Sequence, residues 1–285
     1  MESGALSGRI GVMQGRLSPR QGDRLQAFPQ NSWRQEFSQA RALGFECMEW
    51  IFLADTASDN PLASAQGRRE IVSVIATSGV PVGSICAPYF MVHKLAGVTE
   101  PERAENVQRL RELVVWAHAI GATRILLPLL ETAALTSLEL QDQAVQSLRS
   151  AARVARMADI VLGLEMEIPG AEYAAFIDRV AEPNVRAYYD AGNSTAQGFD
   201  IAEDVLHVLP HLEAVHIKDR KAFGKSRPLG CGDANFRGLF AALAKRGFAG
   251  DFVFEHYFES DPIAEAAQGL AYIEQCVADA TRNAA

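Results

Sequence analysis

The chain has little cysteine and no C-x-x-C pair: Cys47, Cys86, Cys231 and Cys276 stand far apart. That spacing argues against a zinc knuckle or a dithiol redox motif, and reads as reduced thiols in a cytosolic protein. Any apolar run of about 18 residues is missing, so no membrane span is expected. Residues Met1 to Leu6 lack a basic region followed by a long apolar stretch, so no signal peptide is expected either. Positive charge is in deficit. The net charge of −8 disfavours nucleic acid as the main partner, because phosphate backbones select for clustered Lys and Arg. A small anionic ligand stays compatible, since one or two arginines suffice to bind it. The dinucleotide fingerprint is absent as well: Gly11-Val12-Met13-Gln14-Gly15-Arg16 is not G-x-G-x-x-G.

What the chain does have is a regular alternation of short apolar runs and longer amphipathic stretches. Candidate strands are Arg9 to Met13, Cys47 to Ile51, Val82 to Cys86, Arg124 to Leu127, Val161 to Glu165, Val185 to Asp190, Ala214 to His216 and Phe252 to Glu255. Helical patterns lie between them, over Trp33 to Leu43, Arg68 to Ser78, Glu102 to Ile120, Leu138 to Met157, Ala171 to Val180, Ile201 to Leu209, Phe236 to Lys245 and Ile263 to Ala280. Thr99-Glu100-Pro101-Glu102 supplies a cap, a proline and acids at a helix start, while Gly44, Gly79, Gly121 and Gly247 sit just past helix ends. Eight βα units predict a parallel sheet, and eight is the strand number at which such a sheet closes. An open doubly wound sheet would share the pattern, but it would want the missing phosphate loop. Residues 1–285 therefore read as a single (β/α)8 barrel, a length normal for that fold.

Four of the runs end in an acid or a histidine: Glu165, Asp190, His216 and Glu255. In a parallel barrel the strand C-termini face one mouth, so these side chains would converge there. Crowded acids repel, and a cation removes that penalty. Three carboxylates and one imidazole make a mostly oxygen ligand set, which favours divalent Mn, Mg or Co and tolerates Zn.

The motifs Leu164-Glu165-Met166-Glu167, Asp190-Ala191-Gly192-Asn193, His216-Ile217-Lys218-Asp219 and Phe254-Glu255 resemble those of the xylose-isomerase-like barrel superfamily, and most of all its sugar and sugar-phosphate isomerases and epimerases. The segment Gly230-Cys231-Gly232-Asp233-Ala234-Asn235-Phe236 is similar to a G-x-G-x-x-(D/N)-F loop of that group. The resemblance implies that Glu165, Asp190, His216 and Glu255 bind the metal and that Glu165 and Glu255 form the acid/base pair. It also implies a cytoplasmic isomerase or epimerase of carbohydrate metabolism, of the ketose 3-epimerase kind. Abstraction of a proton beside a carbonyl gives an enediolate, and epimerisation then needs one base on each face of the carbon. On a regular strand Glu167 shares a side with Glu165 and competes for its role; motif position favours Glu165.

Further candidates for substrate contact are Arg220, Asn193, Glu49, Glu131, Arg16 and His93. Glu49 and Glu131 lie near the ends of strands two and four and could bond sugar hydroxyls or equally serve a structural role. Asn193 stands where many relatives carry histidine, which weakens a multi-zinc phosphodiesterase reading. Lys218, Arg220, Lys221, Lys225 and Arg227 make the loop after strand seven basic within an acidic protein, which suits a phosphate or carboxylate on the substrate. His118, His207 and His211 fall on helices or loops, and His256 should point away from Glu255. Two rivals use the same barrel: a lyase that dehydrates a keto-inositol or related polyol after the same proton abstraction, and a non-catalytic sugar-binding protein. Trp116 and Tyr272 on outer helices are compatible with a homo-oligomer, though they serve more simply as core.

Overall fold

A computed structural model describes residues 6–22, 24 and 26–284. Eight parallel strands close into a barrel: β1 (Ile10–Met13), β2 (Cys47–Ile51), β3 (Val82–Cys86), β4 (Arg124–Pro128), β5 (Val161–Glu165), β6 (Val185–Asp190), β7 (Leu212–Ile217) and β8 (Asp251–Phe254). Each strand pairs with its sequence neighbours, and β8 pairs with β1 to complete the circle. The open-sheet alternative is thereby excluded.

The major helices are α1 (Trp33–Leu43), α2 (Ala65–Ser78), α3 (Glu100–Ala119), α4 (Leu138–Met157), α5 (Gly170–Val180), α6 (Ile201–Val208), α7 (Phe236–Lys245) and α8 (Pro262–Ala284). Gly44, Gly79, Gly121 and Gly247 all take positive φ after helix ends, the conformation that lets the chain leave a helix and re-enter the sheet. Thr99 does sit at the cap of α3, but its side chain makes no capping hydrogen bond. None of the described helices is long and apolar enough to cross a membrane. Trp116 and Tyr272 are partly buried against the core, as the simpler reading of them expects.

Two irregularities in pairing shape the interior. The β2–β3 register shifts between Met48 and Glu49, so that Glu49 lies beside Ser84. The β6–β7 register shifts between Ala187 and Tyr188, so that Asp190 lies beside His216. Such bulges re-aim side chains. Gly163 adds room, since a Cβ there would come within 3.0 Å of the Tyr188 ring. At the opposite end of the barrel, Arg124 at the start of β4 reaches across to Asp251 at the start of β8, and Arg9 Nη2 closes on the same carboxylate at 2.7 Å.

Candidate metal centre and active site

Glu165 ends β5, Asp190 ends β6, His216 lies near the end of β7 and Glu255 directly follows β8. All four are buried, and each offers a ligand atom such that the four atoms lie within 4.8 Å of one another. His216 Nδ1 is 3.0 Å from Glu255 Oε2 and 3.8 Å from Asp190 Oδ2, yet among the described residues it makes no well-angled hydrogen bond. A buried ring nitrogen without a partner, facing carboxylate oxygens, is what a metal ligand looks like before its ion is considered. Asp190 is held by local structure: it caps the short helix Ala191–Ala196, its Oδ1 accepting the Asn193 backbone N–H at 2.8 Å.

The two glutamates sit in unlike surroundings. Glu255 Oε1 accepts from Gln26 Nε2 at 2.7 Å, Lys218 Nζ at 3.0 Å and Arg16 Nη2 at 3.2 Å. Burial opposes its ionisation, but Lys218, His216 and Arg16 outweigh that and hold the carboxyl well below its usual range. Glu165 receives one side-chain hydrogen bond, from Asn193 Nδ2 at 2.8 Å. Burial, and then the neighbouring Asp190, push it well above the usual range. Two carboxyls driven in opposite directions are what acid/base chemistry requires.

The cluster opens into a cavity of about 590 Å³ at the strand C-termini. Its walls include Arg16, Glu131, Asn193 and Arg220, all expected to reach the substrate, together with Glu165 and Glu255. Glu167 lines it too, at the side of Glu165. Arg220 is already anchored, its Nη1 donating to Asn193 Oδ1 at 2.9 Å and its Nη2 to Gly224 O at 3.0 Å. Lys225 and Arg227 line the outer wall from a two-stranded hairpin, Asp219–Arg220 with Ser226–Arg227. Among the described residues neither forms an ion pair, whereas Lys221 pairs with Asp233.

Two expectations need correction. Glu49 does not face the cavity: it is fully buried beneath the cluster, where His216, Ser84 and Tyr188 occupy both its oxygens. The register shift before it turns it into the barrel, out of reach of a sugar hydroxyl. His93 stacks on Tyr89 with ring centroids 4.2 Å apart and is not part of the wall; Met91 of the same segment is. Sequence reasoning also passed over Gln26, which comes from the long β1–α1 loop, and treated Lys218 only as one of several loop cations. His256, as expected, packs away from the cluster against Phe254 and Phe258.

A closed parallel barrel with a buried carboxylate–imidazole cluster at its catalytic mouth is the build of a barrel metalloenzyme. The chain belongs to the xylose isomerase-like TIM barrel family, whose model matches residues 37–276. L-ribulose-5-phosphate 3-epimerase UlaE of Salmonella paratyphi C (strain RKS4594) is 26% identical over 264 residues, covering 87% of this chain and 91% of that protein. Among solved structures, an L-ribulose 3-epimerase superposes with a TM-score of 0.78 at 19% identity, covering 97% of both chains. The D-allulose 3-epimerase from Methylomonas sp., solved with D-allulose, gives 0.73 at 19% identity over 96% of this chain and 99% of that one. A family member from Mycobacterium smegmatis, solved with magnesium, gives 0.71 at 22% identity over 96% and 98%. The structural likenesses bear on the fold.

Proposed function

We propose that this chain is a divalent-metal-dependent 3-epimerase of a ketose phosphate, with Glu165, Asp190, His216 and Glu255 as ligands and Glu165 and Glu255 as the proton-transfer pair. The observation that carries the reading is the meeting of these four residues in one buried cluster whose two glutamates line the cavity in opposed electrostatic surroundings. The oxygen-rich ligand set suits Mn, Mg or Co. Those four residues would hold the ion, which when bound would supply a Lewis acid that stabilises negative charge developing on the substrate oxygens. Glu255, ionised by Lys218 and Arg16, takes a proton from the carbon beside the carbonyl. Glu165, whose surroundings favour the protonated form, returns one on the other face, and the roles exchange in the reverse direction. Asn193 holds Glu165 in place, and Gln26 and Arg16 hold Glu255.

The phosphate assignment rests on Lys225 and Arg227, two cations on the cavity wall that form no ion pair among the described residues. It agrees with the activity named for the UlaE relative. The test is to incubate the metal-loaded protein in D2O with paired ketoses and their terminal phosphates, following C3 by NMR. Deuterium at C3 with formation of the C3 epimer, faster for the phosphates, supports the proposal. Net loss of water would assign a dehydratase instead, and absence of exchange with any ketose would leave a binding protein.

A further inference from the structure

Glu49 lies outside the cavity wall, yet it bonds directly to His216 of the cluster. Its Oε1 is 2.7 Å from His216 Nε2, and its Oε2 accepts from Ser84 Oγ at 2.6 Å and Tyr188 Oη at 2.7 Å. We propose that Glu49 is a positioning residue for the metal centre, fixing the tautomer and orientation of His216 and thereby setting divalent-ion affinity. This rests on the metal-site reading above.

The argument runs through hydrogen-bond logic. A carboxylate held by two hydroxyl donors can only accept from the imidazole, so His216 carries its proton on Nε2. Nδ1 is then a lone pair, and it is the atom that faces Asp190 and Glu255. Were the proton on Nδ1 instead, the ring could not act as a ligand toward the cluster. Orientation is fixed as well: the Tyr188 ring packs edge-on to the imidazole at 4.7 Å, while the same tyrosine's hydroxyl bonds Glu49.

The fold invests in this contact. Glu49 and His216 come from β2 and β7, far apart around the barrel. Both register shifts of the sheet fall directly before residues of the group, one before Glu49 and one before Tyr188. An anionic partner also raises the basicity of the imidazole toward the ion.

The experiment is a Mn2+ titration of the full chain, followed through the EPR signal of the free ion, for wild type and Glu49→Gln. The melting temperature of each metal-free protein and the visible absorption of each Co2+ form are measured in parallel. Glu49→Gln is expected to weaken Mn2+ binding roughly 10–100-fold and to shift the Co2+ bands while the protein still melts cooperatively. Tyr188→Phe keeps the ring and removes one donor to Oε2. It is expected to weaken Mn2+ binding less, and it decides the matter alone should Glu49→Gln not fold. Wild-type affinity and Co2+ bands in the folded variants would overturn the role of Glu49. A wild-type chain that binds no Mn2+ would instead overturn the metal site itself.

Discussion

Glu165 and Glu255 have the same side chain and opposite surroundings, and the difference is made by a handful of donors. Three donors converge on one oxygen of Glu255, while among the described residues Glu165 has Asn193 alone as a side-chain donor. If the two act from opposite faces of the substrate carbon, replacing either should stop epimerisation without stopping all proton exchange. Glu165→Gln and Glu255→Gln are each expected to lower kcat for epimerisation by about 100-fold or more. Each should retain C3 deuteration with only one of the two epimers, read by NMR in D2O, and loss of exchange with both epimers from both variants would argue against two bases. Asn193→Asp replaces the donor to Glu165 by a second carboxylate at 2.8 Å. A lost hydrogen bond to a charged group is worth about 1.5–3 kcal/mol, so kcat should fall roughly tenfold or more with KM for the ketose little changed. The four candidate ligands were legible in the sequence because each ends a short apolar run. Gln26 was not, because a lone Gln in a loop far along the chain from those four carries no local mark of the place it will occupy. Glu49 was misread for a different reason: it falls within an apolar strand as a mouth residue might, and only the register shift shows that it turns inward.

At the scale of elements, β7 and the segment that follows carry most of the site. His216 and Lys218 stand two residues apart on one stretch and both reach Glu255, and the hairpin after them brings Arg220, Lys225 and Arg227 to the cavity. The hairpin has its own anchor: the Asp219 carboxylate accepts backbone N–H groups of Gly230, Gly232 and Ala234 at 2.9, 2.8 and 3.2 Å. That explains the glycines of Gly230-Cys231-Gly232, since a Cβ at Gly232 would collide with Asp219 Oδ1 at 1.9 Å. Strand and helix positions were legible to within a few residues because burial imposes periodicity on them. The hairpin was legible only as a run of positive charge, because two-residue strands have no periodicity to read. Lys225 and Arg227 are exposed and not tied into the scaffold, so the double replacement Lys225→Ala with Arg227→Ala should leave folding intact. KM for a ketose phosphate is expected to rise about tenfold or more, with KM for the free ketose unchanged. Steady-state kinetics on the matched pair checks this, and equal effects on both would remove the phosphate from the proposal.

The molecule as a whole divides its labour between the two ends of the barrel. The C-terminal mouth concentrates acids that repel without a cation, while the N-terminal end is closed by ion pairs that need none. Asp251 receives Arg9 Nε at 3.2 Å and Nη2 at 2.7 Å, and Arg124 from across the barrel. Burial opposes ionisation of Asp251, but the bond from Arg9 and the charge of Arg124 outweigh it and lower its pKa below the ordinary 3.8. A carboxyl depressed in the folded state contributes stability that is present above its unfolded pKa and lost as pH falls through its folded one. The contribution of Asp251 should therefore be full above about pH 4 and fade in more acid solution. Asp251→Asn removes the closer carboxylate from the buried Arg124 and leaves it Glu213 at 3.4 Å; breaking a buried pair costs up to about 3–5 kcal/mol. The variant is expected to melt several degrees below wild type at pH 7. The gap should narrow as pH drops below 4, because the wild type loses what the variant never had. Thermal melts of both proteins between pH 3 and pH 7, with metal removed so that the mouth does not contribute ligand-linked stability, would show it. Parallel curves across that range would mean that the closing ion pairs contribute nothing, and that the barrel is held at its base by packing alone.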